Sequence, residues 1–545
     1  MNGVLNAIGD WNPQLMRELK GRLKLRNVTI AVIGAIVAQL LLVMAFAGKL
    51  PGDPSEDYNR YLLAGASGSE FINWELWWQD MFRAVSWLIP YALPVAGSYA
   101  LITDLGREAR RGTLNFLRLS PQSAREILLG KLLGVPILKY LGVALVVPLH
   151  IVAAVQGHIP LVFLLSYYLL VGIATVLCLS VAMLISLLNS SQQQAGAMLM
   201  EAGLALAYAL LILFMMVPLF MFWNLWTTWQ PFSHYLTEAT GSHSTGITWF
   251  NLPVCDQPIV AHLFVLTNLS AGIYIIWQLL HRCYHNLTGT VMTKAQSYGV
   301  NLYTELVILG FLWPTPESPL ASWHSDEAIA VTLAVLLTIW QLVKFTVLTA
   351  GLSPRRQALL DWSRYRHQMT AQSGLRSLGQ DLLWGEKSPA IIAIAVNAGI
   401  VAAIWVPMFL SSAIGTTSLV LSLGILLNLC LIVIYATIAQ WMLLMKVKKP
   451  GLWALGVTVA VAMVPPIMIL VLASNSAATG TPDGIWAVLL LSTPLLWVTI
   501  QKVSLLSIGL SLVAQMAAIV MLNMTLAKHL HKLGESTTTA LLNPA

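Results

Sequence analysis

The chain has 545 residues, 57% of them hydrophobic and only 10% charged, with a formal net charge of +7. A soluble domain carries roughly 25% charged residues, so this composition excludes a soluble enzyme or binding module. It implies an all-α polytopic membrane protein, because apolar stretches of about 20 residues recur and each can cross about 30 Å of hydrocarbon. The four cysteines, Cys178, Cys255, Cys283 and Cys430, are scattered without metal-ligand spacing, and a disulfide framework is not expected.

The N-terminal stretch NPQLMRELKGRLKLR is polar and basic. The apolar run behind it is too long for a signal-peptide core and lacks a small-residue cleavage pattern, so it reads as a retained span. Six spans are expected near 28–47, 84–102, 133–155, 161–188, 203–222 and 259–280. Six more follow near 301–313, 328–350, 389–411, 417–441, 452–473 and 503–527. With the N-terminus inside, inner segments hold Arg17, Lys20, Arg22, Lys24 and Arg26, then Arg107, Arg110, Arg111, Arg118, Arg125 and Lys131. Outer segments hold only Lys49, Arg60, Arg83 and Lys502. Basic residues resist translocation, so this asymmetry places both termini in the cytoplasm. The run GIWAVLLLSTPLLWVTI at 484–500 would break that pattern as a crossing and reads as a re-entrant or interfacial outer helix. Its counterpart lies in 223–258, where Trp223, Trp226 and Trp229 suit a simple aromatic belt or a gate.

Six spans plus six suggest a duplication, with halves 1–300 and 301–545 and large charged loops at about 103–132 and 351–388. In the first loop RRGTL at Arg110–Leu114 precedes EILLG at Glu126–Gly130; in the second, RRQAL at Arg355–Leu359 precedes DLLWG at Asp381–Gly385. The first loop divides at Ser120-Pro121, a turn signal. Beyond it Ser123 stands three residues before Glu126, the capping-box spacing that starts a helix. The helix before the turn is either an interfacial anchor or a docking surface.

This segment resembles the cytoplasmic signature of the ABC transporter permeases of the second exporter class. The matching residues are Glu108, then Gly112-Thr113-Leu114, then Ser120-Pro121, then Glu126 through Lys131. The N-terminal stretch is similar to that family's connecting helix, with Leu15, Met16, Leu19 and Leu23 on one arc. The resemblance implies a transport subunit of an inner (plasma) membrane exporter that is not itself an enzyme. Two copies of a separate ATPase subunit would bind ATP and Mg and dock on the loop formed by Glu108, Arg110, Arg111, Gly112, Thr113, Leu114, Ser120, Pro121, Arg125, Glu126, Gly130 and Lys131. The second half is the weaker match, through Arg355, Arg356, Leu359, Asp381, Gly385 and Glu386, because Gln357-Ala358 replaces Gly-Thr. In keeping with a separate ATPase, the chain contains no GxxxxGK[ST] phosphate loop. Membrane lipid is the other expected partner, and nucleic acid is not one.

A major-facilitator secondary transporter is the rival, since DLGREARR follows the second span, although its spacing is off by one residue. A non-transporting scaffold or lipid enzyme would need a polar constellation that no loop supplies. Ionisable residues in spans are functional candidates by default, here Glu201 and Glu305; Lys139 and Lys344 are placed to reach the inner surface. His243, Cys255 and Asp256 have too poor a spacing for a metal site.

Overall fold

The computed structural model describes residues 2–51, 59–64, 70–190, 248–254, 257–286, 289–314, 319–369, 375–447, 450–475 and 504–534. Nine of the described helices are long and apolar enough to cross a membrane. The expected 203–222 span, the 484–500 helix and Trp223, Trp226 and Trp229 lie outside the described residues.

Contacts divide the chain into two units, Met1–Ser244 with Gln257–Leu287 and Thr245–Asp256 with Thr288–Ala545. In the first unit two short helices, α1 (Asn2–Trp11) and α2 (Pro13–Arg22), precede the apolar α3 (Leu25–Ala47). Next come a two-stranded antiparallel hairpin, β1 (Leu62–Ala64) and β2 (Glu70–Ile72), and then α4 (Trp74–Arg110). The hairpin departs from a purely helical expectation. It pairs Leu63 with Phe71, two half-exposed apolar residues in a connection between spans. Short α5 (Thr113–Arg118) and α6 (Ala124–Gly134) follow, and then α7 (Ile137–Gln156), α8 (Leu161–Ser190) and α9 (Pro258–His285).

Helix α4 has 37 residues and is therefore about 55 Å long, well beyond the hydrocarbon thickness. Its charged end, Arg107–Arg110, continues the helix outside the apolar stretch. Helix α4 also contains Pro90 and Pro94. A helical proline cannot donate to the carbonyl four residues back, so Pro90 frees the Ser86 carbonyl, which accepts instead from the Tyr167 hydroxyl at 2.8 Å. Beside it the Ser86 hydroxyl meets His150 Nε2 at 2.8 Å, and His150 Nδ1 meets the Tyr168 hydroxyl at 2.9 Å. Satisfying freed groups from neighbouring helices is what lets proline sit within a span. The surrounding core of Phe82, Val85, Ile89, Ala153, Ala154 and Leu164 seals α4, α7 and α8 together.

The second unit contains α10 (Lys294–Leu312), a 3-10 turn at Pro319–His324, α11 (Glu327–Leu352), α12 (Arg356–Met369) and α13 (Leu375–Trp384). It continues with α14 (Ile391–Leu410), α15 (Thr416–Leu443), α16 (Pro450–Asn475) and α17 (Leu505–Gly534). The most buried of its spans, α15, packs against α11, α14, α16 and α17. The division falls before residue 300 because α10 begins at Lys294 and packs on α14. Residues 248–254 join the second unit too: the Phe250 amide donates to the Gly310 carbonyl at 2.6 Å, and the Trp249 indole to the Val307 carbonyl at 3.1 Å.

Candidate functional site

The charged segment forms two helices joined at Ser120-Pro121. Gly112 starts α5 at φ +72°, a left-handed conformation that glycine adopts without strain. Ser123 caps α6 as the spacing predicts: its hydroxyl accepts from the Glu126 amide at 3.2 Å, and the Glu126 carboxylate accepts from the Ser123 amide at 3.3 Å.

Helix α6 is set down on α2. Asn12 caps α2 by accepting from the Leu15 amide at 2.9 Å and donates its side-chain amide to the Glu126 carbonyl at 2.8 Å. Gly130 and Gly134, one turn apart on α6, make the close approach possible. A Cβ at Gly130 would stand 2.8 Å from the Leu15 backbone nitrogen, and one at Gly134 would stand 2.5 Å from Glu18 Cβ. Both obstacles are at or next to the backbone and cannot swing away. Gly134→Val is therefore expected to lift α2 off α6 at a cost of about 1–3 kcal/mol, read as earlier unfolding in detergent and faster proteolysis near Arg22.

At the centre of this contact Lys131 is 1% exposed. Its ammonium donates to Glu18 Oε1 at 2.6 Å and Asp104 Oδ2 at 2.8 Å, and pairs with Glu108 Oε1 at 2.7 Å. Arg17 binds Glu108 at 2.7 Å, and Arg22 binds Asp104 at 2.5 Å and Glu18 at 3.2 Å. Three cations thus face three carboxylates. Burial would push the Lys131 ammonium down, but Asp104, Glu18 and Glu108 outweigh it and hold the group above the usual lysine range. Glu18, Asp104 and Glu108 have the mutual spacing of a metal triad, within 4.8 Å. The ammonium already occupies the point where an ion would sit, so the cluster is a lysine cage.

The twelve residues of the first loop divide accordingly. Arg110, Arg111, Gly112, Thr113, Pro121, Arg125 and Glu126 are exposed. Leu114, Gly130 and Lys131 are buried, and Glu108 and Ser120 are partly so. Two large apolar side chains that the motif does not single out, Phe116 and Leu119, are 74% and 86% exposed. Phe116 lies in α5 and Leu119 caps its C-terminus, in a segment that also exposes Arg110, Arg111 and Arg125. Arg118 turns back instead, lying over the Tyr284 ring of α9 at 5.4 Å.

The second loop is built differently. Arg356 donates to the Leu444 carbonyl at 2.9 Å, closing the C-terminus of α15, and Leu359 is buried. Asp381 pairs with Arg366 at 2.5 Å, linking α12 to α13. Arg355 and Glu386 are exposed, and Gly385 closes α13 by donating to the Asp381 carbonyl at 2.8 Å.

Lys294, the first residue of α10, is buried among neutral acceptors: the Leu382 carbonyl at 2.6 Å, the Ser388 hydroxyl at 2.7 Å and the Pro389 carbonyl at 3.1 Å. Burial pushes its ammonium down to about 8, against a weaker upward pull from Asp381. An unfolded lysine titrates near 10.4, so between these values the unfolded chain binds more protons. Stability should then rise with pH from about 8 to about 10.4, and Lys294→Met should flatten that rise in detergent unfolding curves.

Of the intramembrane candidates, Glu201 lies outside the described residues, as do His243, Cys255 and Asp256. Glu305 is fully buried. One of its oxygens accepts from the Lys344 ammonium and, at 3.0 Å, from Gln341; the other accepts from the Trp405 indole. Lys344 therefore does not extend to the inner surface as its position in the span suggested. A carboxylate on the adjacent helix α10 offers it more than a stretched route to water.

No family model, curated protein or solved structure matches this chain. Its long apolar helices define it as a multi-pass helical membrane protein.

Proposed function

We propose that the chain is the membrane-spanning subunit of an ATP-driven transporter of the second exporter class, served by a separate ATPase. The observation that carries this reading is the exposed Phe116 and Leu119 pair on α5, at the end of the 37-residue α4. An exposed apolar pair in a segment that also exposes Arg110, Arg111 and Arg125 suits insertion into a pocket on a partner with an acidic rim. The lysine cage fixes α2, α4 and α6 to one another, so a push on α5 is passed to the end of a spanning helix instead of being absorbed by a loose loop. Glu108, Gly130 and Lys131 act in this reading as positioning residues, and Arg110, Arg111, Thr113, Arg125 and Glu126 as the contact rim.

Duplication is supported by neighbour relations that recur. Helix α3 packs on α7 and α4 on α8 in the first unit; α10 packs on α14 and α11 on α15 in the second. The second loop, stitched down by Arg356 and Asp381, gives the ATPase a different contact. Both termini and both loops belong on the cytoplasmic face in this reading.

The test is co-purification with an ATP-binding-cassette ATPase encoded nearby. Phe116→Asp with Leu119→Asp should abolish the ATPase complex and ATP-dependent transport while leaving the unfolding midpoint unchanged. A complex that survives both substitutions would sink the assignment. The buried Glu305–Lys344 pair favours a second reading, an ion-driven secondary transporter. Proton-driven uptake by the isolated chain in proteoliposomes would select it.

A further inference from the structure

Beside the lysine cage, α4 presents an open cleft of about 440 Å³. Its α4 wall follows one helical face, from Val95 and Ala96 through Tyr99 and Ala100 to Arg107. Positions 95 to 107 span about 18 Å along the axis. The deep part is therefore small and apolar, and the end near Arg107 is basic. Arg22, bound to Asp104, stands at the basic end, and Lys139 reaches into the cleft from the first turn of α7, which starts where Pro136 meets Gly97.

The charge there is not cancelled. Asp104 also lines the cleft, but one of its oxygens is bound by Arg22 and the other by Lys131. Among the described residues, Arg107 and Lys139 have no ion pair. From these observations we infer that the cleft is a binding site for one anionic glycerophospholipid. Its phosphate lies between Arg107 and Lys139, and an acyl chain follows Val95, Ala96 and Ala100 into the bilayer. Tyr99, 49% exposed, stands between the two parts, at the depth where an amphipathic ring meets glycerol and ester groups. A free phosphate would have no use for the apolar stretch, and a zwitterionic headgroup would leave the two cations without a net anionic partner. Basic pockets between spanning helices hold anionic headgroups on the same physical grounds. The site shares Arg22 and Asp104 with the cage, so a bound lipid would brace the helix end that carries α5.

Native mass spectrometry of the full chain in detergent tests this, with phosphatidylglycerol and phosphatidylcholine of matched chains as probes. Wild type should hold the first phosphatidylglycerol more tightly than phosphatidylcholine. Each cation contributes about fivefold to anionic affinity, so R107Q/K139Q should weaken phosphatidylglycerol roughly 30-fold and leave phosphatidylcholine unchanged. A96W/A100W, which fills the apolar part and keeps the charges, should weaken both lipids. A K528Q/K532Q control, two exposed lysines on α17 that do not line the cleft, should match wild type, and unfolding midpoints will separate lost binding from lost fold. Equal retention of the two lipids by wild type, or unchanged selectivity in R107Q/K139Q, would overturn the proposal. So would displacement of phosphatidylglycerol by millimolar glycerol 3-phosphate, which would mark a soluble-anion site.

Discussion

Replacing Lys131 by methionine is expected to destabilise the first unit by about 3–5 kcal/mol, the range for removing one partner of a buried ion cluster. Glu18, Asp104 and Glu108 would keep oxygens within 4.8 Å of one another without the ammonium between them. Arg17 and Arg22 would remain, but they reach the cluster from its rim, with side chains 51% and 27% exposed. The residual repulsion should act where the cage joins α2 to the rest of the unit. Trypsin should then cut near Arg22 and Lys24 well before the spans unfold. Pairing Lys131→Met with Glu18→Gln removes one charge of each sign and should recover part of the loss. An unmoved unfolding midpoint together with a protected α2 would mean that the cage contributes nothing.

Glu305 and Lys344 should give the second large effect. Glu305→Ala leaves a lysine charge in a span with no carboxylate, and Lys344→Met leaves the reverse. Each is expected to cost about 3–5 kcal/mol. The double variant Glu305→Gln/Lys344→Met keeps shape and loses both charges, and should return to within about 1 kcal/mol of wild type, because a buried pair is often no better than a packed neutral one. A double-mutant cycle on detergent unfolding measures the coupling directly; additive losses would show that the two groups do not act as a pair. Transport by the double variant bears on mechanism. An ATP-driven cycle should survive the neutral pair, whereas an ion-driven one that uses Glu305 should not.

The capping box at Ser123 and Glu126 was legible in the sequence because its three-residue spacing is fixed by helix geometry alone. So were the break at Ser120-Pro121 and the nine described helices long and apolar enough to cross, which follow from local chemistry and the length of apolar runs; the expected 301–313 span is instead part of α10, which is not among those nine. The charged motif was legible as a segment, but the direction of its side chains was not. Glu108 and Lys131 read as part of one charged surface, yet they turn inward, because their partners Glu18 and Arg17 lie about ninety or more residues earlier. Gly130 and Gly134 gave a faint signal, a small residue repeated at one helical turn, which marks close helix approach but not the helix that approaches. Lys344 illustrates the same limit: its depth in a span suggested a reach for water, and only the neighbouring helix showed a carboxylate within range.

Although the helix ends moved, as where the expected 84–102 span became Trp74–Arg110, the sequence by itself determined that this is a helical multi-pass membrane protein and where its charge is concentrated. Those properties depend on composition, period and caps, which act over a few turns of chain. The tertiary structure alone decided which charges are cancelled and which stay open, separating the caged Lys131 from Arg107, Lys139 and the bare Phe116 and Leu119. Ion pairing and burial are set by atoms a few ångströms apart in space and far apart along the chain, and no local pattern records them.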